Sequence, residues 1–270
     1  MTNIDNAQII VDTALRSAEA RELDPGKLYA FVTPGGGVQK IDLTGDEYKD
    51  QPSRKKGTTT VRDAESFLAY WDKHNDTHSE VYADNERLTV TAVLDANTPE
   101  DARWGQHRLH LALRETTTWQ QWMRWNGELM GQEDFAEFLE DHLPELLEPS
   151  AADMLEIAQS FQAAQKVDFQ SATRLSSGQR QFQYVETATT KAGQKGQLTV
   201  PETFVIGLVP FEGSEGYRLT ARLRYRIGQQ GLRLGYKLER PEEIRKTAFA
   251  DVLKSIAEQV DPPVMNGTSA

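Results

Sequence analysis

The alternation of apolar and polar positions is clearest between Tyr217 and Ile227. There Tyr217, Leu219, Ala221, Leu223, Tyr225 and Ile227 alternate strictly with Arg218, Thr220, Arg222, Arg224 and Arg226. A period of two is that of a strand with one buried face, so the exposed face of this strand is predicted to be arginine. Gly228-Gln229-Gln230-Gly231 supplies a turn, and Leu232, Leu234, Tyr236 and Leu238 carry the apolar side back along a second strand. A long β-hairpin near the C-terminus is therefore expected. Before it, the runs 167–175, 179–187 and 196–211 also read as strands.

The rest of the chain mixes both periods. Ile4, Ala7, Ile10, Val11, Ala14, Leu15 and Ala18 have helical spacing, and Asp24-Pro25-Gly26 stops that run. Residues 28–32 and 38–43 form a predicted hairpin around Thr33-Pro34-Gly35-Gly36-Gly37, and 49–60, with Pro52 and Gly57, reads as an exposed loop. Thr60 or Asp63 is expected to cap a helix reaching about His74. A strand pair follows over 79–94, turning at Asp84-Asn85-Glu86, and another strand over 103–113. Helices are predicted over 116–125, capped by Thr117 or Thr118, over 132–147 with a break near Pro144, and over 150–165. Pro241 opens a last helix to about Val260. The fold class that results is α+β, with mixed, largely antiparallel sheets and several amphipathic helices. The expected organisation is an N-terminal helical arm over 1–26, a single α+β domain over 27–260, and a disordered tail over 261–270. Within that domain a helix-rich part is read over 116–166 and a β-rich part over 167–240.

Composition narrows the chemistry. None of the 270 residues is cysteine, which removes disulfides, thiolate nucleophiles, iron–sulfur clusters and cysteine zinc sites. Mean hydropathy is −0.60 and no run approaches the ~20 apolar residues of a membrane helix, so no membrane partner is expected. The first twenty residues lack the basic and apolar segments of a signal peptide, so the cytoplasm is the expected location.

Charge is unevenly spread. The net charge of −11 divides into −13 over residues 1–150 and +2 over the remainder. From Glu128 to Glu156 there are ten acids and no Lys or Arg, and Glu133, Glu137, Glu140, Asp141, Glu145 and Glu148 are the candidates for an acidic interface. From Tyr217 to Arg240 there are seven bases and one acid, and Arg218, Arg222, Arg224, Arg226, Arg233 and Lys237 are the candidates for an oligomer interface or a nucleic-acid surface. Complementary patches set register and partner choice between subunits.

The sequence carries no recognised catalytic signature. There is no phosphate loop, nucleophile elbow, HExxH or dinucleotide GxGxxG, so no cofactor is expected and no catalytic residue is assigned. His74 and His78 are four apart near a helix end and read as solvated, with no metal site expected; in a strand His107 and His110, three apart, face opposite ways. Glu137, Glu140 and Asp141 share a helix side but lack a histidine at a ligating offset. Trp119, Trp122 and Trp125, with Trp104, are candidates either for packing or for stacking on bases.

Several blocks carry a family resemblance: Gln51-Pro52-Ser53-Arg54-Lys55-Lys56-Gly57, Trp104-Gly105-Gln106-His107, Thr118-Trp119-Gln120-Gln121-Trp122, Phe135-Ala136-Glu137-Phe138-Leu139-Glu140, Pro201-Glu202-Thr203-Phe204 and Ala221-Arg222-Leu223-Arg224-Tyr225-Arg226. On these, the sequence resembles the YfdQ-like family of phage and prophage proteins. The resemblance implies a phage-encoded, non-virion accessory protein and carries over no catalytic residue. The leading expectation is a non-enzymatic protein that self-assembles into a ring or shell-like homo-oligomer through its acidic and basic faces. The alternative is a recombination or replication accessory protein holding single-stranded nucleic acid on the arginine face. A third is an acidic inhibitor or decoy of a host DNA-processing or defence enzyme.

Overall fold

A computed structural model describes residues 7–11, 13–14, 22–32, 36–169, 173–174, 180–181, 184–191, 200–228 and 231–269. Within these the chain divides into two compact units, Met1–Lys56 and Gly57–Ala270. The first unit contains the stretch expected as the N-terminal arm together with the hairpin and the loop that follow it.

In the first unit, residues 7–11 and 13–14 are helical, while Ile4, Leu15 and Ala18 of the predicted helix lie outside the described residues. β1 (Leu28–Val32) and β2 (Val38–Asp42) pair antiparallel as predicted, with Tyr29 opposite Ile41 and Val32 opposite Val38. Positions 33–35 at the hairpin tip are also outside the described residues. A 3-10 turn, Asp46–Tyr48, follows. The Asp46 carboxylate accepts hydrogen bonds from the Ser53 backbone and hydroxyl and from Lys56 Nζ, each at 3.1 Å. These bonds hold its pKa well below the usual carboxylate range and tie the polar loop down.

The second unit contains two five-stranded sheets, each packed against helices on one face. The first layer begins with β3 (Gly57–Val61), a strand where a loop was expected. Its β-branched Thr-Thr-Thr-Val run suits an extended edge, and it pairs in parallel with a strand fifty residues further on. α1 (Ala64–His74) is capped by Asp63, whose carboxylate accepts from Ser66 N at 2.7 Å. β4 (Glu80–Asp84), β5 (Thr89–Val93) and β6 (His107–Ala112) alternate buried and half-buried positions as the sequence predicts.

The second layer opens with α2 (Thr117–Arg124). Its cap is Thr116, one residue before those expected, because Thr116 keeps an extended backbone and its hydroxyl reaches Trp119 N at 3.1 Å. β7 (Leu129–Gly131) and α3 (Gln132–Asp141) follow. The helix predicted to run to 147 stops at Asp141. Leu143–Glu145 is a 3-10 turn with Pro144 in its first positions, and β8 (Leu146–Glu148) is an edge strand. α4 (Ala151–Ser160) also ends earlier than expected, since the chain becomes extended at Gln162.

Next come β9 (Gln162–Phe169), β10 (Thr173–Arg174), β11 (Arg180–Gln181) and β12 (Tyr184–Lys191), of which β9 pairs with β12 and β10 with β11. Parts of the predicted strands 167–175, 179–187 and 196–211 fall outside the described residues. β13 (Thr203–Leu208), β14 (Tyr217–Gly228) and β15 (Gly231–Leu238) form the core of the second sheet, and β14 with β15 is the expected C-terminal hairpin. Gln229 and Gln230 of its turn lie outside the described residues.

α5 (Pro241–Ala257) returns to the first layer, and β16 (Val264–Asn266) adds a parallel strand beside β4. The segment read as a disordered tail therefore contains a paired strand. Its backbone is anchored further where Gly267 N donates to Ala83 O at 2.8 Å.

The first sheet has the order β16-β4-β5-β6-β3 and the second β7-β15-β14-β13-β8, the latter antiparallel throughout. Phe67, Trp71, Val90, Leu109, Leu111, Phe249 and Ile256 build the first core from α1, α5 and the sheet. Trp119, Trp122, Phe135, Leu139, Met154, Ile206, Leu219 and Tyr236 build the second from α2, α3, α4 and the sheet. Tyr217 packs against both. Helices of the part read as helix-rich thus pack on β13, β14 and β15 of the part read as β-rich, in one layer pair.

Candidate functional site

Alternation along β14 and its register with β15 decide which side chains share a face. Ala221 stands opposite Leu238, Leu223 opposite Tyr236 and Tyr225 opposite Leu234, all toward the helices. On the other face Arg222 stands opposite Lys237, Arg224 opposite Gly235, and Arg226 opposite Arg233. Arg218 continues this row opposite Gly207 of β13. The six basic candidates therefore share one open sheet face. Arg222, Arg224 and Arg226 follow one another at about 6.7 Å, two strand residues per step, and Arg218 lies two such steps before Arg222 with Thr220 between.

Few of these cations are neutralised. Arg218 pairs with Glu148 at 2.5 Å and Arg222 with Glu239 at 3.3 Å. Arg233 donates to Leu129 O at 2.5 Å. Arg224, Arg226 and Lys237 have no ion pair with any described residue. Gly235 is required where it lies, because a Cβ there would meet the Glu128 carbonyl oxygen at 2.1 Å. At the opposite edge Leu147, 41% exposed, lies over Gly207, where a Cβ would crowd it at 3.2 Å, so that margin of the basic face is apolar.

The acidic candidates separate in space. Phe135, Phe138 and Leu139 of α3 point into the second core, with Phe138 stacked on Tyr236 at 5.8 Å. α3 therefore covers the apolar face of the sheet, the side away from the arginines. Its outer face carries Glu133, Asp134, Glu137, Glu140 and Asp141, all exposed and without an ion pair among the described residues. Glu133, Glu137 and Asp141 recur every four residues, about 6 Å apart along the helix axis. Glu148 instead sits on the basic face as the partner of Arg218. Glu145 is half-buried in the 3-10 turn with Oε2 lacking a hydrogen-bond partner among the described residues, and burial pushes its pKa up.

The tryptophans do not form one platform. Trp119 and Trp122 are buried core residues; Tyr236 Oη donates to the Trp122 carbonyl at 2.6 Å, and its burial raises the phenol pKa. Trp125 is the C-terminal cap residue of α2, with the Arg124 guanidinium 5.5 Å from its ring centroid. Trp104 is 70% exposed on the loop before β6 in the first layer.

Two histidine arrangements escape sequence spacing. His107 is buried, its Nε2 3.1 Å from Tyr70 Oη and its ring centroid 5.3 Å from that of His74. His142, also buried, has Nδ1 2.7 Å from the Phe138 carbonyl and Nε2 3.0 Å from Gln121 Oε1. Each joins residues from different elements, which no spacing rule reveals. His78, by contrast, is exposed, and His110 faces the opposite side of β6 from His107, as the strand period requires. Among the described residues no group of three or more His, Asp or Glu is arranged to hold a metal. No helix among the described residues is long and apolar enough to cross a membrane.

Fold and site together define an α+β protein in which two helix-backed sheets form one unit and one sheet face is left open and basic. The chain belongs to the family described as uncharacterized conserved protein (DUF2303), whose model matches residues 3–269. No curated protein and no solved structure matched the chain.

Proposed function

We propose that this protein is a non-enzymatic building block that assembles with copies of itself, head to tail, into a ring or shell-like particle. The observation that supports this reading is the placement, on opposite sides of one layer pair, of cations and carboxylates that have no ion pair among the described residues. Two such sides cannot meet within one chain, but the acidic face of one copy fits the basic face of the next. Their charge rows have similar steps, about 6 Å on α3 and about 6.7 Å on β14. A contact between different faces is heterologous and builds a ring or a larger array according to its rotation. Exposed pairs contribute only about 0.2–1 kcal/mol each, so in this reading they set register and the apolar margin at Leu147 adds affinity. A YfdQ-like, phage-encoded origin and a cytoplasmic location belong to the same proposal and rest on the sequence blocks.

The test is the absolute mass of nuclease-treated protein by light scattering at low and high salt. A discrete multiple of 30.4 kDa that falls with salt is expected. The paired variants Arg224→Glu/Arg226→Glu and Glu137→Lys/Asp141→Lys should each be monomeric, and mixing the two should restore a hetero-assembly. A mass of 30.4 kDa for the natural chain in both salts overturns the reading.

A further inference from the structure

We propose that the basic face of β14 and β15 also binds the phosphodiester backbone of single-stranded nucleic acid, and that such a strand competes with the neighbouring copy's acidic helix. The competition rests on the assembly reading; the binding does not. Like charges directly across a strand pair are destabilising, yet here Arg226 faces Arg233 and Arg222 faces Lys237. Only Arg222 of these four has a carboxylate partner among the described residues. Among the described residues no carboxylate offsets the Arg226–Arg233 pair, and an anion lying over the face would relieve that repulsion.

The shape of the row selects the anion. Arg222, Arg224 and Arg226 lie in line along one extended strand at about 6.7 Å steps, which suits one linear chain of phosphates. A duplex offers two helical rails around a groove, to which a single straight row of arginines on one strand is poorly matched. Guanidinium groups grip phosphate oxygens in bidentate pairs, which favours phosphodiesters over carboxylates of looser geometry. Aromatic side chains of β14 and β15 (Tyr217, Tyr225 and Tyr236) all point to the other face, and Trp119 and Trp122 are buried. The face therefore reads the backbone and not the bases. The net charge of −11 does not prevent this. The unpaired carboxylates of α3 lie beyond the sheet and the core, while charges are screened over about 8 Å at physiological salt.

The experiment uses the full-length, nuclease-treated protein and a fluorescein-labelled oligothymidylate of about 20 nucleotides, longer than the ~4–16 that one small binding surface covers. Anisotropy should report binding whose log affinity falls with log salt at a slope of about 3, from some four released counterions at about 0.7 each. An oligoadenylate should bind within about twofold, because nothing stacks on the bases. Arg224→Gln/Arg226→Gln should weaken binding about tenfold or more and lower the slope by about 1.4, with an unchanged circular dichroism spectrum reporting the fold. Glu137→Gln/Asp141→Asn should bind as well as or better than the natural chain. Added oligonucleotide should lower the particle mass at constant ionic strength.

An assembled chain that ignores the oligonucleotide overturns the site and leaves the assembly reading standing. A monomeric chain that binds it supports the site and overturns the competition. Binding to inorganic polyphosphate without binding to the oligonucleotide, or a strong preference among bases, overturns the proposed ligand or its mode.

Discussion

The two sheets of the second unit share an architecture, five strands with helices on one side, but differ in how their other faces satisfy polar groups. On the first sheet, Tyr82 Oη donates to Glu80 at 2.7 Å and Thr91 Oγ1 lies 2.9 Å from His110 Nδ1. Arg108 Nε donates to the Gly105 carbonyl at 2.8 Å, and Asp84 accepts from the backbone of Glu86 and Arg87. That face closes its own electrostatics. On the second sheet, Arg224, Arg226 and Lys237 are left with no described carboxylate, and Arg226 faces another arginine. A face that keeps a repulsive pair gives up stability within the chain, and this is intelligible when the balancing charge comes from outside. The proposed interaction therefore falls on the second sheet.

The two layers are expected to unfold together. Tyr217 packs against both cores, and α5 follows β15 to cover the first sheet. Trp122→Ala removes the ring at the centre of the second core and should cost about 3–5 kcal/mol, and Phe67→Ala in the first core should cost a similar amount. Chemical denaturation at high salt should show one transition in each case, shifted with its slope unchanged. Two separable transitions, with only one moved by each substitution, would break the idea that the sheets form one cooperative unit.

A smaller effect isolates the open face. Arg226→Glu turns a like-charged cross-strand pair with Arg233 into an opposite-charged one, so the monomer at high salt should gain about 0.2–1 kcal/mol. The matched change on the first sheet, Thr91→Glu, removes the hydroxyl that meets His110 and should lose stability. Equilibrium unfolding of both variants decides the point. A destabilised Arg226→Glu would mean that the basic face is already compensated within the chain, and the contrast between the sheets would disappear.

How much of this was legible depended on whether the information was local. The period of two in β14 and the acidic run of α3 lie within single elements, so both faces could be read from the chain. The clash of Arg226 with Arg233 required the register across the hairpin. β3 was missed because Gly-Thr-Thr-Thr-Val has no alternation and its partner β6 is distant in sequence, and β16 because three residues carry no period. Glu148 belonged to the acidic run by sequence, yet it lies beside Arg218 because the chain leaves helix at Asp141 and crosses into β8. Trp125 broke from Trp119 and Trp122 because α2 ends one residue before it.

The smallest expected effect is a dependence on pH with opposite signs in the two layers. In the first, burial, with the Arg62 charge nearby, holds the His110 pKa below its ordinary 6.5. The unfolded chain then binds this proton more readily, so His110's contribution is intact above pH 6.5 and is lost as the pH falls through the depressed value. In the second, burial holds the Glu145 pKa above its ordinary 4.5, although the nearby His142 works against it. Its contribution is intact below pH 4.5 and is lost as the pH rises through the raised value. Glu145→Gln should therefore raise the melting temperature at pH 7 and leave it nearly unchanged at pH 4. His110→Gln should flatten the decline between pH 6.5 and 5, although its bond with Thr91 keeps the ring in place in the natural chain. Melting curves from pH 4 to 7 would separate the two. If Glu145→Gln melts lower at pH 7, the Glu145 carboxylate has a stabilising partner in solution, and the second layer is electrostatically closed on its helical side as well.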